Sequence, residues 1–219
     1  IKLQNIIGKI TLYASTERGY KNLTKLSSLS YLNSLETEDP SCEINDLLNN
    51  NEDLILLTGN YMDFFGKLFN ANKTKVLEEK INLLKNHFKD RIYFEIQRHN
   101  EIDEKNFEAY LLNSSKSLQI PIIATQDVFY LNKEMYEAHD ALTCIGKKNF
   151  VDDQNRFKYS KEHFLKHNKD LVNLYSDIPE ALENNYNFHL RFSFKPKKSK
   201  PILPSVANDT SNSPEEELS

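Results

Sequence analysis

The stretch Ile120-Pro121-Ile122-Ile123-Ala124-Thr125-Gln126-Asp127-Val128-Phe129-Tyr130 passes from an apolar run into a polar triplet. Six residues are too few for a buried helix, and the run 120–125 reads as a short strand covered on both faces. At the carboxyl ends of parallel strands side chains point into the mouth of the sheet, and there α/β folds carry their chemistry. Thr125, Gln126 and Asp127 stand at such an end. An Asp followed two residues later by a His would be a metal-ligand pair, but the second place is taken by Phe129. The fold class reads as α/β, with a site half erased.

The same pattern recurs on either side. Residues 53–59, DLILLTG, are a second buried-strand candidate. Residues 91–98 alternate, with Ile92, Phe94 and Ile96 on one side, as a half-buried strand does. Between them Leu77, Ile81, Leu84 and Phe88 recur at helical spacing. Asp103 is placed to cap a helix with Phe107, Leu111 and Leu118 inward, and a helix from about Asn132 would turn Met135, Ala138, Leu142 and Ile145 inward. Strand and helix alternate in this way over 53–145, which predicts βαβ units and a parallel sheet.

Upstream, residues 6–14 read as a strand and 21–32 as a helix, and Ser41 as the cap of a short helix carrying Ile44, Leu47 and Leu48. Downstream, Ser160 predicts a helix with Phe164 and Leu165. Asp177-Ile178-Pro179-Glu180 is a capping-box pattern, opening a helix through Leu182 and Tyr186 toward Phe192. Three regions are expected: an α/β domain over 1–146, a helical extension over 147–194, and a connector with a polar tail over 195–219. The connector, KPKKSKPILP, is basic and extended; residues 206–219 are too polar to build a core and are expected to be flexible.

With 219 residues and 39% hydrophobic content the chain can bury a core. A formal net charge of −4 argues against a nucleic-acid binder held by bulk electrostatics. It leaves room for a local patch. Lys195, Lys197, Lys198 and Lys200 are phosphate-contacting candidates, although a solvated linker is the commoner meaning of such a run. No apolar run approaches the ~18–20 residues that cross a bilayer, so no membrane partner is expected. Ile1-Lys2-Leu3-Gln4 has neither an initiator Met nor a signal-peptide pattern, and the chain is expected to begin inside a longer gene product. Cys42 and Cys144 stand far apart, which suits small apolar roles in a reducing cytoplasm. The common nucleotide-binding, acyl-transfer and zincin motifs are absent.

Metal-assisted phosphoester chemistry needs several His, Asp, Glu or Cys ligands converging at strand ends. Those ends offer Asn60, Glu95, His99 and Asp127. Asp127 with Glu95 could hold one hard cation. The more ordinary reading has Asp127 serving the turn before Phe129, and His99 as a rim histidine. His139 reads as packed or at the rim, and His87, His163, His167 and His189 as solvated surface.

Several stretches resemble, in collinear order, the amino-terminal PHP (polymerase and histidinol phosphatase) domain of bacterial DNA polymerase III alpha subunits. Arg18-Gly19-Tyr20-Lys21-Asn22-Leu23 is similar to that family's GYxNL, and Leu56-Leu57-Thr58-Gly59 to its strand ending in TGC. Residues 93–99, YFEIQRH, are similar to its YxEIQRHG, and residues 121–128 to its P-x-x-ATNDVH. Residues 137–145, EAHDALTCI, residues 177–184, DIPEALEN, and the exit KPILP at 200–204 continue the likeness, with an alphaproteobacterial cast. The departures are as informative. The family's first HxH segment has no counterpart in this sequence, and 8–12 lacks its acidic ligand and histidine. Asn60 stands where active members carry Cys, and Phe129 where they carry the last His, so that only Asp127 of the usual set survives.

The resemblance implies a distorted (β/α)7 barrel, incomplete at its amino terminus, with a helical carboxyl-terminal extension. It implies a piece of the replicative DNA-directed DNA polymerase, a nucleotidyltransferase that uses Mg in regions outside this sequence. The piece itself is expected to be non-catalytic and without a metal cofactor. Its implied roles are to support the polymerase core and to dock the proofreading exonuclease subunit. DNA and the rest of the holoenzyme are reached through the parent protein. The alternative is a residual metal-dependent phosphoesterase or 3′–5′ exonuclease using Asp127, Glu95 and His99. An open sheet edge, left by the missing first strands, is expected to lower stability or favour association.

Overall fold

The computed structural model describes residues 1–3, 5–35, 39–198 and 200–201. The end of the KPILP exit and the expected flexible tail lie outside the described residues. The chain begins with a two-stranded antiparallel ribbon, β1 (Lys2–Leu3) and β2 (Ile6–Ile7). There follow β3 (Thr11–Ala14), α1 (Glu17–Leu32), α2 (Ile44–Asn49), β4 (Leu54–Leu57), α3 (Phe64–Asn70) and α4 (Thr74–Phe88). Next come β5 (Ile92–Ile96), α5 (Glu104–Leu118), β6 (Ile122–Ala124), α6 (Tyr136–Lys147), α7 (Asn168–Leu174) and α8 (Pro179–Phe188).

The fold is α/β. Its main sheet runs β3-β4-β5-β6, with β4, β5 and β6 parallel as the alternation predicts and β3 antiparallel to β4. The segment 6–14 is not one strand. The Lys9 carbonyl accepts from Phe64 N–H at 3.2 Å. Gly8 meets the α3 backbone so closely that an added Cβ would lie 2.4 Å from Phe64 Cα. The chain therefore leaves the ladder between β2 and β3.

Leu77, Ile81, Leu84 and Phe88 of α4 are fully buried, each at 0% exposure, as their 4-3-4 spacing predicts. β5 departs from expectation: all five of its residues are buried. Tyr93 joins Ile55, Leu57 and Ile123 in a second cluster, closed by Phe188 and Phe192. The far face of the sheet is thus covered by α8 and the turn after it, and the Phe188 ring meets Tyr93 edge-on at 5.6 Å. Tyr175, Ile178 and Ala181 belong to the main core with Leu56 and Phe94.

Four local expectations are corrected. α2 is capped by Glu43, which exchanges capping-box bonds with Asp46, and not by Ser41. Residues 160–167 are not helical: 161–162 form a turn and Phe164 makes a parallel bridge to Tyr130. Phe129 N–H donates to His163 O at 2.9 Å and Leu165 N–H to Tyr130 O at 3.0 Å, so strand-like pairing takes the backbone groups a helix would need. Ile178, not Asp177, is the N-cap of α8, and it gives no side-chain cap bond. The Asp177 carboxylate instead takes Arg98 Nη1 and Nη2 at 2.6 and 2.8 Å.

The fourth concerns α6, which is turned the other way round. Met135, Leu142 and Ile145 face solvent, Ile145 at 76% exposure, while Cys144 is buried. The helix is held by its polar face, where Asp140 accepts from Arg156 Nη1 at 2.6 Å and His139 stacks on Phe129.

The outer edge of β6 is closed by side chains. Asn184 Nδ2 donates to Ile122 O and Asn185 Nδ2 to Ala124 O, both at 2.8 Å. No described helix is long and apolar enough to cross a membrane.

Candidate functional site

β4, β5 and β6 are parallel neighbours, so the residues following each strand meet at one end of the sheet. After β4 the chain must turn sharply. Gly59 does this at φ +80°, where an added Cβ would sit 2.6 Å from Asp63 Oδ2. The turn places Asn60 over the sheet end, and Met62 N–H donates to Asn60 Oδ1 at 2.8 Å. Glu95 and Gln97, two residues apart, come from the same side of β5, and Thr125 and Asp127 from the end of β6.

These side chains form one hydrogen-bond network. Asn60 Nδ2 donates to Gln97 Oε1 and to Asp127 Oδ2, each at 3.0 Å. Gln97 Nε2 donates to Glu95 Oε1 and to Thr125 Oγ1, each at 3.0 Å. Thr125 Oγ1 donates to Glu95 Oε1, and Gly59 N–H to Glu95 Oε2 at 3.1 Å. Asp63 Oδ2 accepts from Asn60 N–H at 3.0 Å. Burial pushes the Glu95 carboxyl above its ordinary range, although Thr125 and Gln97 pull it back. Asp63 is pushed up as well, again by burial first.

His99 lies under Asp127. Its Nε2 accepts from Asp127 N–H at 3.2 Å, and its own backbone N–H donates to Glu104 at 2.7 Å. It is a buried structural residue, 2% exposed, not a rim histidine. His163 is likewise buried, which corrects its reading as solvated surface. Its Nδ1 lies 3.0 Å from Asp127 O and its Nε2 3.2 Å from Glu101 Oε1. Burial, and His99 beside it, hold His163 below its ordinary pKa.

Phe129 completes a column of four rings. His99 stacks on His163 at 4.0 Å, His163 on Phe129 at 4.8 Å, and Phe129 on His139 at 5.2 Å. Tyr159 leans on the Phe129 ring at 4.7 Å. Beside the column a cleft of about 720 Å³ opens, lined by Lys9, Asn60, Asp63, Asp127, Phe129 and Tyr159 among others.

The structure brings Asn60, Glu95, His99, Asp127 and Phe129 together. Lys195, Lys197, Lys198 and Lys200 are exposed on the segment after α8. Sequence reasoning missed Gln97, Asp63 and the buried role of His163. Gln97 had a signal, because Glu95 and Gln97 alternate at the period of a strand whose end already held a candidate. His163 had none, since its burial depends on a contact with residues more than thirty positions away.

The acidic side chains at these strand ends are engaged by protein donors. Asp127 Oδ2 accepts from the Asn60 amide, Glu95 Oε1 from the Gln97 amide and the Thr125 hydroxyl, and the Phe129 ring has no lone pair to offer a cation. Among the described residues no three His, Cys, Asp or Glu side chains are grouped to hold a metal ion. Three strand ends are tied across the sheet by neutral donors on the buried Glu95 and the half-buried Asp127.

Residues 3–99 match the family described as PHP domain, a segment that ends at His99 and leaves out Asp127 and Phe129. The chain is 35% identical over 209 residues to the DNA polymerase III subunit alpha of Caulobacter vibrioides, covering 95% of this chain and 18% of that protein. It is 34% identical over 202 residues to the subunit of the same name from Rickettsia bellii, and 28% over 196 residues to that of Escherichia coli. The chain spans 17–18% of the length of these relatives.

Proposed function

This chain is kin, over 89–95% of its length, to the amino-terminal, PHP-bearing part of bacterial DNA polymerase III alpha subunits, and from that kinship we propose that it serves a replicative DNA polymerase as a non-catalytic PHP domain. In this reading it is a distorted (β/α)7 barrel, incomplete at its amino terminus, that supports the polymerase core in the cytoplasm. It docks the proofreading exonuclease subunit, and takes no metal of its own, while Mg serves the parent's polymerase centre. Nucleotidyl transfer to a DNA primer belongs to that parent.

The observation that carries the reading is the Asn60 amide donating to Asp127 Oδ2 beside the stacked Phe129 ring. A metallophosphoesterase needs open ligand positions and an activated water. Here the positions are filled by amide hydrogens and an aromatic face, so the strand ends act as a clamp. A clamp of this kind rigidifies the surface that a partner meets.

The test has two parts. Metal content of the purified chain, measured by inductively coupled plasma mass spectrometry, is expected to be far below one equivalent of Zn, Mn or Fe. Size-exclusion chromatography with the proofreading exonuclease subunit is expected to give a joint peak. Stoichiometric metal with chelator-sensitive phosphodiesterase activity would instead establish the enzyme reading, and separate elution at micromolar concentrations would remove the docking role.

A further inference from the structure

The longest acid-free stretch of the chain carries its densest positive charge. No Asp or Glu occurs between Glu183 and Asp209, while Arg191, Lys195, Lys197, Lys198 and Lys200 fall inside it, in a chain whose formal net charge is −4. Such a segment would be a solvated linker if it left the domain freely. It does not. The Phe192 ring packs 5.1 Å from Phe188 and 6.0 Å from Tyr13, and Phe194 packs 5.4 Å from Tyr20. Ser193 N–H donates to Ser15 O at 2.9 Å. Arg191 is spent on the fold, donating to Tyr93 OH at 2.8 Å and to Asp90 Oδ2 at 2.7 Å.

We propose that Lys195, Lys197, Lys198 and Lys200, carried just beyond a strap pinned to β3 at Phe192 and to α1 at Phe194, bind the phosphate backbone of a nucleic acid. All four lysines are exposed, and none forms an ion pair with a described residue, so their charge is available. Pro196 and Pro201 fix φ and remove backbone donors, which favours an extended polyproline-like course. At ~3.1 Å per residue the four cations are spread over about 16 Å, a span in which duplex DNA presents about nine phosphates. A short anion could engage one or two of these lysines, whereas a continuous polyanion engages all four.

Two other polyanionic partners are disfavoured by the same residues. A membrane-surface segment needs an apolar face to bury beside its lysines, and residues 195–200 carry none beyond Pro196. An acidic peptide adding to the segment as a strand would need backbone donors that the prolines lack. The inference is independent of the exonuclease docking and of the metal content proposed above. It stands on charge, exposure and anchoring alone.

The test is fluorescence anisotropy of the full 219-residue chain with labelled 20-base-pair and 20-nucleotide DNA between 50 and 200 mM KCl. Four phosphate contacts predict a salt slope of about −3.6 on duplex, a loss of roughly 100-fold in affinity across that range. The variant K195A/K197A/K198A/K200A is expected to lose most of the slope and to weaken binding at 50 mM KCl more than tenfold. The corresponding quadruple Lys→Arg variant is expected to keep both. The proposal is overturned if neither DNA binds at 50 mM KCl, or if the alanine variant keeps the wild-type slope. It is overturned as well if vesicles containing phosphatidylserine, or polyglutamate, bind the lysines more tightly than DNA does. Circular dichroism of each variant checks the fold, which exposed lysines do not support.

Discussion

Asn60 Nδ2 stands 3.0 Å from Asp127 Oδ2, joining the turn after β4 to the end of β6 across the strand between them. The same amide reaches Gln97 Oε1 of that middle strand at 3.0 Å, so a single side chain ties three strand ends. These neutral donors make it tolerable to hold Asp127 and the buried Glu95 close together.

Replacing Asn60 by Leu is therefore expected to destabilise the fold. It removes the donor to Asp127 and to Gln97 and the acceptor for Met62 N–H. Leaving partly buried groups unmet costs about 1–3 kcal/mol in all, since water can reach some of them from the cleft. Urea unfolding monitored by circular dichroism reads the change. An unshifted midpoint would mean that the network is incidental.

The two perturbed groups flanking Asp127 give opposite pH slopes. His163 is held below its ordinary pKa of 6.5, so the unfolded chain takes up the proton first and stability falls as pH drops below about 6.5. Glu95 is held above its ordinary 4.5, so the unfolded chain ionises first and stability falls as pH rises from about 4.5. Between those values the two contributions oppose one another. His163→Gln is expected to leave a stability that falls with rising pH in this window, and Glu95→Gln one that rises. Urea midpoints at half-unit steps from pH 4.5 to 6.5 separate the two variants. Parallel curves would show that neither group governs the profile.

α6 offers a direct contrast between pattern and packing. Met135, Leu142 and Ile145 fit a helical apolar stripe, and yet Leu142 is 64% and Ile145 76% exposed. Leu142→Ser is expected to shift stability by no more than about 0.5 kcal/mol, as surface substitutions do. Asp140→Ala should cost more, because it strips the bidentate partner from Arg156. Thermal melts of the two variants compare the faces; a larger loss for Leu142→Ser would restore the inward stripe.

Much of the fold was legible where one periodicity dominates. Leu77 to Phe88 and the runs at 54–57 and 122–124 announce buried elements because burial leaves no choice of residue. The family resemblance drew attention to Asn60 and Phe129, which the fold places beside Asp127 at the strand ends. The remainder was hidden for physical reasons. α6 is oriented by polar contacts of His139 and Asp140 that no hydrophobic pattern encodes. The non-helical course of 163–165 depends on pairing with Phe129 and Tyr130, more than thirty residues away. The far face of β5 is buried only because Phe188 and Phe192 return to it. Local propensity is overridden wherever a distant partner supplies the hydrogen bonds or the cover.

The last strand of the sheet carries the remaining prediction. Ile122 and Ala124 turn their carbonyls away from β5, and an exposed row of such groups is a template for another strand. Asn184 and Asn185, successive residues on α8, each donate a side-chain amide to one of them at 2.8 Å. The helix thereby blunts an edge that a further strand would otherwise cover. In N184L/N185L the hydrophobic cover of α8 remains but both carbonyls lose their donors, at about 1–2 kcal/mol each. The variant is expected to unfold at lower urea and to associate as concentration rises, because the freed edge accepts backbone donors from a second chain. Light scattering after size-exclusion chromatography at 10 and 200 µM, roughly spanning the range in which exposed edges drive association, measures this. A variant that stays monomeric with an unchanged urea midpoint would show that packing of Ala181 and Ile178, and not the asparagine pair, keeps the edge closed.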